Sequence, residues 1–366
     1  MFTIDAHLDL AINAMAQNRD LTQSVFDIRQ KEKMLGWTDT PDRGNGTVAL
    51  PELRKGKVGV VVATIISRVD TIGHPFPSAK LTGWHTPEQA YAFAMAQLTW
   101  YQTMEQQGQM VQIRDLDGLN RHVGLWQDKS IDDQSKPIGY ILSLEGADSV
   151  INMHTLEVYH QLGLRAIGPA HFGPGRYAAG THSDGSGITE AGFVLLKEMD
   201  RLGMILDVTH LTDKGFFEAM DNFGGTVWAS HQNCRSIVPG ERQFSDKQLK
   251  ILIQRNGVVG GALDDWMLQE GYVRGEKSPK EWGIGLERLV DHFDHICQLA
   301  GNTHHVAFGS DLDGLFGTEQ TPYDLDTIMD LQRFQEILLR RGYASEAVEQ
   351  IFHGNWLRLL RRTWSV

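Results

Sequence analysis

Short apolar runs alternate with longer amphipathic stretches along the chain. Eight runs read as β-strands: residues 3–10 (TIDAHLDL), 58–67 (VGVVVATIIS), 137–146 (PIGYILSLEG), 164–172 (LRAIGPAHF), 203–211 (GMILDVTHL), 226–231 (TVWASH), 257–263 (GVVGGAL) and 305–314 (HVAFGSDLDG). Most are nearly continuous apolar runs rather than alternating ones, the pattern of parallel strands buried on both faces. Helical periodicity fills the intervals. Leu286, Leu289, Val290, Phe293, Ile296 and Cys297 recur on one face before a stop at Gly301, and Ile188, Phe193, Leu196, Met199 and Leu202 form a similar stripe ending at Gly203. Residues 245–255, 323–341 and 345–361 also read as helices. Eight strands alternating with helices predict an α/β fold, a (β/α)8 barrel with residues 1–366 as one domain. Two polar, glycine-containing stretches, 17–50 and 68–86, follow strands and are expected as long loops on the catalytic face.

Several of the strand-like runs end in a histidine or a carboxylate. His7 and Asp9 stand two apart at the end of the first, Glu145 ends LSLE, His210 ends LDVTH and His231 ends VWASH. Side chains two apart on a strand share a face, which in a barrel is the interior. A buried carboxylate is costly unless a cation or strong donors neutralise it. In a barrel all five converge at the C-terminal mouth. Three imidazoles and two carboxylates there suit two divalent metals, zinc or similar, sharing one carboxylate, with positions open for water.

Three further groups have strand-end contexts. His171 ends IGPAH and is placed to donate to a developing oxyanion, or else to pack as a core histidine. Asp311 follows HVAFGS and is a candidate proton shuttle, although GSDLDG is also turn-like; Asp313, two residues on, is expected to face the same way. Arg242 in PGERQFSD follows the His231 strand and suits a substrate carboxylate through bidentate bonds.

Composition narrows the function classes. Among 366 residues, 34 basic against 46 acidic side chains give a net charge of −12 without a Lys/Arg-rich block, which argues against nucleic-acid binding. Cys234 and Cys297 are too few to staple a chain of this size, and Cys234, three residues after His231, reads as a packed thiol rather than a ligand. The opening MFTIDAHLDL has no basic segment followed by an apolar one, and no run of about 18 apolar residues occurs, so no membrane span and a cytoplasmic location are expected.

Through DAHLDL, GTVALPELRKGKVGVVVAT, SLEGAD, TEAGFVLLKEMDRLGMILDVTHLTD, ASHQNCRSI, FGSDLDG and FHGNWLRLL, in that order, nearly the whole chain resembles the renal (membrane) dipeptidase family of amidohydrolase-like metal barrels. The resemblance implies a zinc-dependent dipeptidase with two Zn2+ (or similar divalent ions): His7 and Asp9 on one, His210 and His231 on the other, and Glu145 bridging. It implies a hydroxide shared by the metals as nucleophile, His171 on the oxyanion, Arg242 on the substrate's terminal carboxylate and Asp311 carrying the proton to the leaving amine. It implies L-L and possibly L-D dipeptide substrates and a possible homodimer. Set against the animal members, the chain is expected to do without a secretion signal, a lipid-anchor tail and their disulfide complement, and it places Asp148 where they carry a histidine. Its Gly-rich HFGPGRYAAGTHSDGSG keeps a second substrate class open, a related carboxylate-bearing amide or lactam. A catalytically silent metal- or ligand-binding barrel is the third reading, disfavoured by retention of all five ligands and Asp311.

Overall fold

The computed structural model describes residues 1–70 and 83–365, so part of the expected 68–86 loop lies outside the described residues. All eight apolar runs form strands, each shorter than its run and trimmed at one or both ends. They are β1 (Thr3–Leu8), β2 (Val58–Ile66), β4 (Ile138–Glu145), β5 (Leu164–Gly168), β6 (Ile205–Asp207), β7 (Val227–Trp228), β8 (Val259–Gly261) and β9 (Val306–Phe308); β3 (Met110–Gln112) is additional. Every strand pairing is parallel, in the order β7-β6-β5-β4-β2-β1-β9-β8, and a bridge between Ala229 and Val259 joins the two ends. The amides of Ala229 and Gly260 seal that junction, donating to Val258 O at 3.0 Å and Ala229 O at 2.8 Å. The eight strands therefore form a (β/α)8 barrel. The extra strand β3 pairs the first half of β4, whose second half pairs β5. It is three residues long and half exposed, which leaves no apolar run to read.

Ile4, Ala6, Val60, Val62, Ile141, Ala166, Ile205, Trp228 and Ala307 form one inward-facing cluster, joined by Trp356, Leu357, Leu359 and Leu360 of the helix Asn355–Trp364. That helix bonds to Asn256, His304 and Thr226, each just ahead of a strand, so it closes the N-terminal end of the barrel. The outward faces of the strands pack on the surrounding helices in a second, larger cluster. Two glycines let β7, β8 and β9 converge. A Cβ at Gly260 or Gly309 would stand 2.0 Å or 1.6 Å from Ser230 O, immediately before His231. No helix among the described residues is long and apolar enough to cross a membrane.

Segment 17–50 is not only loop. It holds the helix Val25–Met34 and ends where the helix Leu50–Lys55 begins. The first is capped by Ser24 and buries Val25, Ile28 and Glu32. Its inner face is partly ionic: Glu32 meets Arg19 at 2.8 Å and Arg43 at 2.7 Å. A charged inner face leaves no apolar stripe, so hydrophobic periodicity passes over it. The expected helix over 323–341 starts later. Thr327 caps a 3-10 turn, Ile328–Arg333, which leads into the helix Phe334–Arg340.

Candidate metal centre

The local fold of β1 aims the first ligand. Its pairing with β2 slips by one residue between Asp5 and Leu8. Ile4 lies level with inward-facing Val60, whereas Leu8 lies level with outward-facing Ala63. The extra residue is a bulge that turns His7 into the barrel, a device common beside active sites. Asp5 pins the bulge, accepting from the amides of His7 at 3.2 Å and Ser310 at 2.9 Å. Asp9 precedes the helix Leu10–Met15 without capping it through its side chain, which leaves the carboxylate for the site.

The other groups lie just beyond strand ends rather than in the strands, apart from Glu145, the last residue of β4. His210 and Asp311 adopt left-handed backbone conformations, with φ of 67° and 59°. Such conformations are uncommon for non-glycine residues and are over-represented at functional sites.

Glu145 stands at the centre with its two oxygens divided. Oε1 is 2.8 Å from His210 Nε2 and 3.3 Å from His231 Nε2, while Oε2 is 3.5 Å from His7 Nε2 and 3.9 Å from His171 Nε2. The Nε2 atoms of His210 and His231 are 3.0 Å apart. On the other side, His7 Nε2 lies 3.5 Å from Asp9 Oδ1 and 3.7 Å from Asp311 Oδ1. Hydroxyls hold the far side of two rings: Ser230 Oγ reaches His231 Nδ1 at 2.9 Å and His7 Nδ1 at 3.4 Å, and Thr64 Oγ1 reaches His7 Nδ1 at 3.5 Å. Partners on the second nitrogen are how proteins orient ligand imidazoles.

The donor set fits a metal. Among the described residues, buried His7 Nε2 and Asp9 Oδ1 have no hydrogen-bond partner. Three overlapping groups could each hold an ion: His7, Glu145 and His231; Glu145, His171 and His210; and His7, Asp9 and Asp311. Burial pushes His210 down to about 3 and His171 to about 4, and holds His231 well below its ordinary value. These imidazoles are neutral, the form that ligates metal. At His7 burial acts in the same direction, but the Glu145 and Asp9 carboxylates outweigh it and raise the imidazole well above its usual range. Burial raises the carboxyls of Asp9 and Asp311, and at Asp311 the neighbouring Asp9 and Glu145 push the same way. Glu145 is held well below its usual value in spite of burial, by His171 and His7. The cluster carries more carboxylate than its own cations balance, which is the demand a bound divalent ion meets.

The surrounding cavity, about 220 Å³, is lined by Asp9, Glu145, His171, His210, His231, Arg242 and Asp311. All of the sequence-predicted site residues other than His7, which lies beneath them, therefore face one space. Arg242 is 6 % exposed and is held by Gln232 Oε1 at 2.5 Å and His231 O at 3.1 Å. Asp313 does not share the face of Asp311. The strand ends at Phe308, and Asp313 has its own left-handed φ of 62°. Its carboxylate turns to Thr47 N at 2.6 Å, Thr47 Oγ1 at 2.7 Å and Val48 N at 3.0 Å. Asp148 is also structural: it accepts from Arg176 N and Val69 N, both at 2.8 Å, and so ties the Gly-rich loop to the segment after β2. Cys234 packs against His292 with its thiol pushed up by burial, away from the ligand set.

Sequence reasoning missed Arg68, Asp264, Trp266, Arg274 and Gln320 on the cavity wall. Asp264 was accessible to the rule that found Glu145, because GVVGGALD is an apolar run leading into a carboxylate. Also missed was Asn13, whose Nδ2 bridges Asp9 O at 3.0 Å and Asp313 O at 2.8 Å and so couples two mouth loops. A lone asparagine in a helix gives no pattern to read.

Known proteins carry the same architecture. A crystal structure of dipeptidase AC, a metallo peptidase of family M19, superposes with a TM-score of 0.78 over 100% of this chain and 99% of that one, at 25% identity. A Rhodobacter sphaeroides metallo peptidase liganded with a phosphinate mimic of the dipeptide L-Ala-D-Ala shares the fold, with a TM-score of 0.77 at 24% identity, covering 100% of this chain and 99% of that one. Dipeptidase tcpJ of Claviceps purpurea is 28% identical over 238 residues, 62% of this chain and 52% of that protein, so the chain spans about half the length of this curated relative. The family model for membrane dipeptidase matches residues 1–366. A closed barrel, a His/carboxylate cluster at its C-terminal mouth and a match along the entire sequence place the chain in the membrane dipeptidase family, peptidase family M19.

Proposed function

We propose that the protein is a zinc-dependent dipeptidase, hydrolysing the peptide bond of L-L and L-D dipeptides at a binuclear centre. The observation that carries this reading is the divided carboxylate of Glu145, one oxygen toward His210 and His231 and the other toward His7. His7 and Asp9 would hold one ion, His210 and His231 the second, and Glu145 would bridge them. Two such ions would supply an activated water and polarise the scissile carbonyl.

The chain's own residues do the rest. Arg242 lines the cavity and suits the substrate's terminal carboxylate. His171, neutral and beside Glu145, is placed to donate to the oxygen that gains charge at the carbonyl carbon. Asp311, whose carboxyl is raised, can take a proton and pass it to the leaving amine. A cavity of about 220 Å³ falls below the ~300–1,000 Å³ of drug-sized ligand sites and suits a short substrate.

The test is amino-acid release from a panel of L-L and L-D dipeptides by metal-stripped and zinc-reconstituted protein, with bound metal counted in parallel. Activity that disappears on chelation and returns as two equivalents of zinc bind is the expected result. Two bound ions with no cleavage across the panel would refute the dipeptidase reading in favour of another amide. One ion at full activity would refute the binuclear centre.

A further inference from the structure

Four carboxylates line the cavity: Asp9, Glu145, Asp264 and Asp311. The proposed chemistry uses three of them and leaves Asp264. It lies just after β8, on the mouth side of the barrel, and is 6 % exposed. Its carboxylate is fixed from two directions. Oδ2 accepts from Trp266 Nε1 at 2.6 Å, and Oδ1 accepts from Gln320 Nε2 at 2.8 Å. Both donors are neutral, and none of the ion pairs formed among the described residues includes Asp264. It is close enough to Arg242 and Asp311 to act on the charge of each. Burial pushes its carboxyl up to about 7. Arg274 and Arg242 act on its charge only from a distance, so among the described residues this buried, oriented carboxylate faces the cavity without a directly paired cation, a contact that a ligand cation would supply.

We propose that Asp264 receives the free α-ammonium group of the substrate, making it a specificity-determining residue of the cavity. This rests on the dipeptidase reading. Arg242 then answers the carboxylate end and Asp264 the ammonium end, so the cavity measures the distance between two opposite charges. Substrates with a blocked or missing amino group lose the second contact and leave Asp264 buried unpaired. Discrimination of this kind is strong, because the penalty falls on the site's own desolvated group.

The experiment compares L-Ala-L-Ala with N-propionyl-L-Ala, its isostere lacking the ammonium, on wild type, Asp264→Asn and Trp266→Phe. Wild type is expected to prefer the dipeptide in kcat/KM by roughly 100-fold or more. Asp264→Asn should collapse that preference to within about 3-fold, by weakening the dipeptide and relieving the isostere of the unpaired carboxylate; Trp266→Phe, which removes the 2.6 Å donor, should lower it partway. Calorimetric binding of both compounds to metal-free protein gives the same comparison without turnover, and melting curves establish that each variant is folded. Equal losses for both compounds in Asp264→Asn, or a preference kept intact, would overturn the assignment while leaving the dipeptidase reading in place. Wild-type protein that cleaves no member of the dipeptide panel overturns that reading and this inference with it.

Discussion

Arg19→Met tests how the mouth of the barrel is held. Arg19 is 4 % exposed, and its guanidinium meets Glu32 at 2.8 Å, Asp42 at 2.8 Å and Asn13 Oδ1 at 2.8 Å, with Asp313 at 3.9 Å. Removing one partner of a buried ion pair costs about 3–5 kcal/mol. The lower end applies here, since Arg43 still reaches Glu32 at 2.7 Å and the Thr47 and Val48 amides still hold Asp313. For 366 residues at about 2.1 cal/mol/K each, the entropy of unfolding is about 0.8 kcal/mol/K, so ~3 kcal/mol lowers Tm by roughly 4 °C. The assay is scanning calorimetry of both proteins at several pH values. Burial tends to raise the Glu32 carboxyl, but Arg19, Arg43 and the Gly44 amide bring it below its ordinary value. A depressed acid contributes stability above its unfolded pKa and loses it as pH falls through the folded value. The gap between wild type and variant should therefore be full at pH 7 and close below about pH 4. A Tm within about 1 °C of wild type at pH 7, or a gap that widens in acid, would refute this reasoning.

Asp265 is fully buried, and among the described residues neither of its oxygens has a hydrogen-bond partner; burial, with Asp264 and Glu319 nearby, pushes its carboxyl up to about 9. A raised acid favours the fold below its unfolded pKa and loses that contribution as pH climbs, so wild-type urea midpoints should decline between about pH 4 and 9 and Asp265→Asn should flatten the decline; an unchanged slope rules the assignment out. Arg242→Lys keeps the charge but not the fork, and should raise KM for dipeptides with a free carboxylate by about 10-fold or more with little change in kcat. If dipeptide amides suffer equally in steady-state assays, Arg242 is not the carboxylate clamp.

The eight barrel strands were legible because strands buried on both faces are written as unbroken apolar runs, and β2, buried along all nine residues, is the clearest case. The residues gathered at the mouth were legible for the complementary reason: a carboxylate or imidazole ending such a run has little explanation besides chemistry. What escaped depends on pairings that no single stretch displays. The helix Val25–Met34 has an inner face completed by Glu32, whose partners Arg19 and Arg43 come from elsewhere in the segment. Asp313 was expected beside Asp311 because alternation assumes that the strand continues. The left-handed turn from Asp311 to Asp313 ends the alternation and sends that carboxylate to Thr47. The bulge in β1 that turns His7 inward is likewise a matter of register with β2, visible only once the two strands are paired.

The first strand carries His7, leads directly into Asp9 and sits between β2 and β9, bonding to a neighbour about 300 residues away. On a growing chain these two ligands emerge early, yet they meet Asp311 only when nearly all of the chain is available. Ions held by His7 and Asp9 together with Glu145, His210 and His231 would therefore bind the closed ring far better than any partly assembled one. They would add little to the speed of assembly, which the long-range pairing of β1 with β9 governs. Their effect would fall on the reverse process, because opening the ring must first part the ligands from the ions. Stripping metal from the protein should leave refolding rates nearly as they are and accelerate unfolding, so the proposed metal centre would double as a latch on the fold's lifetime.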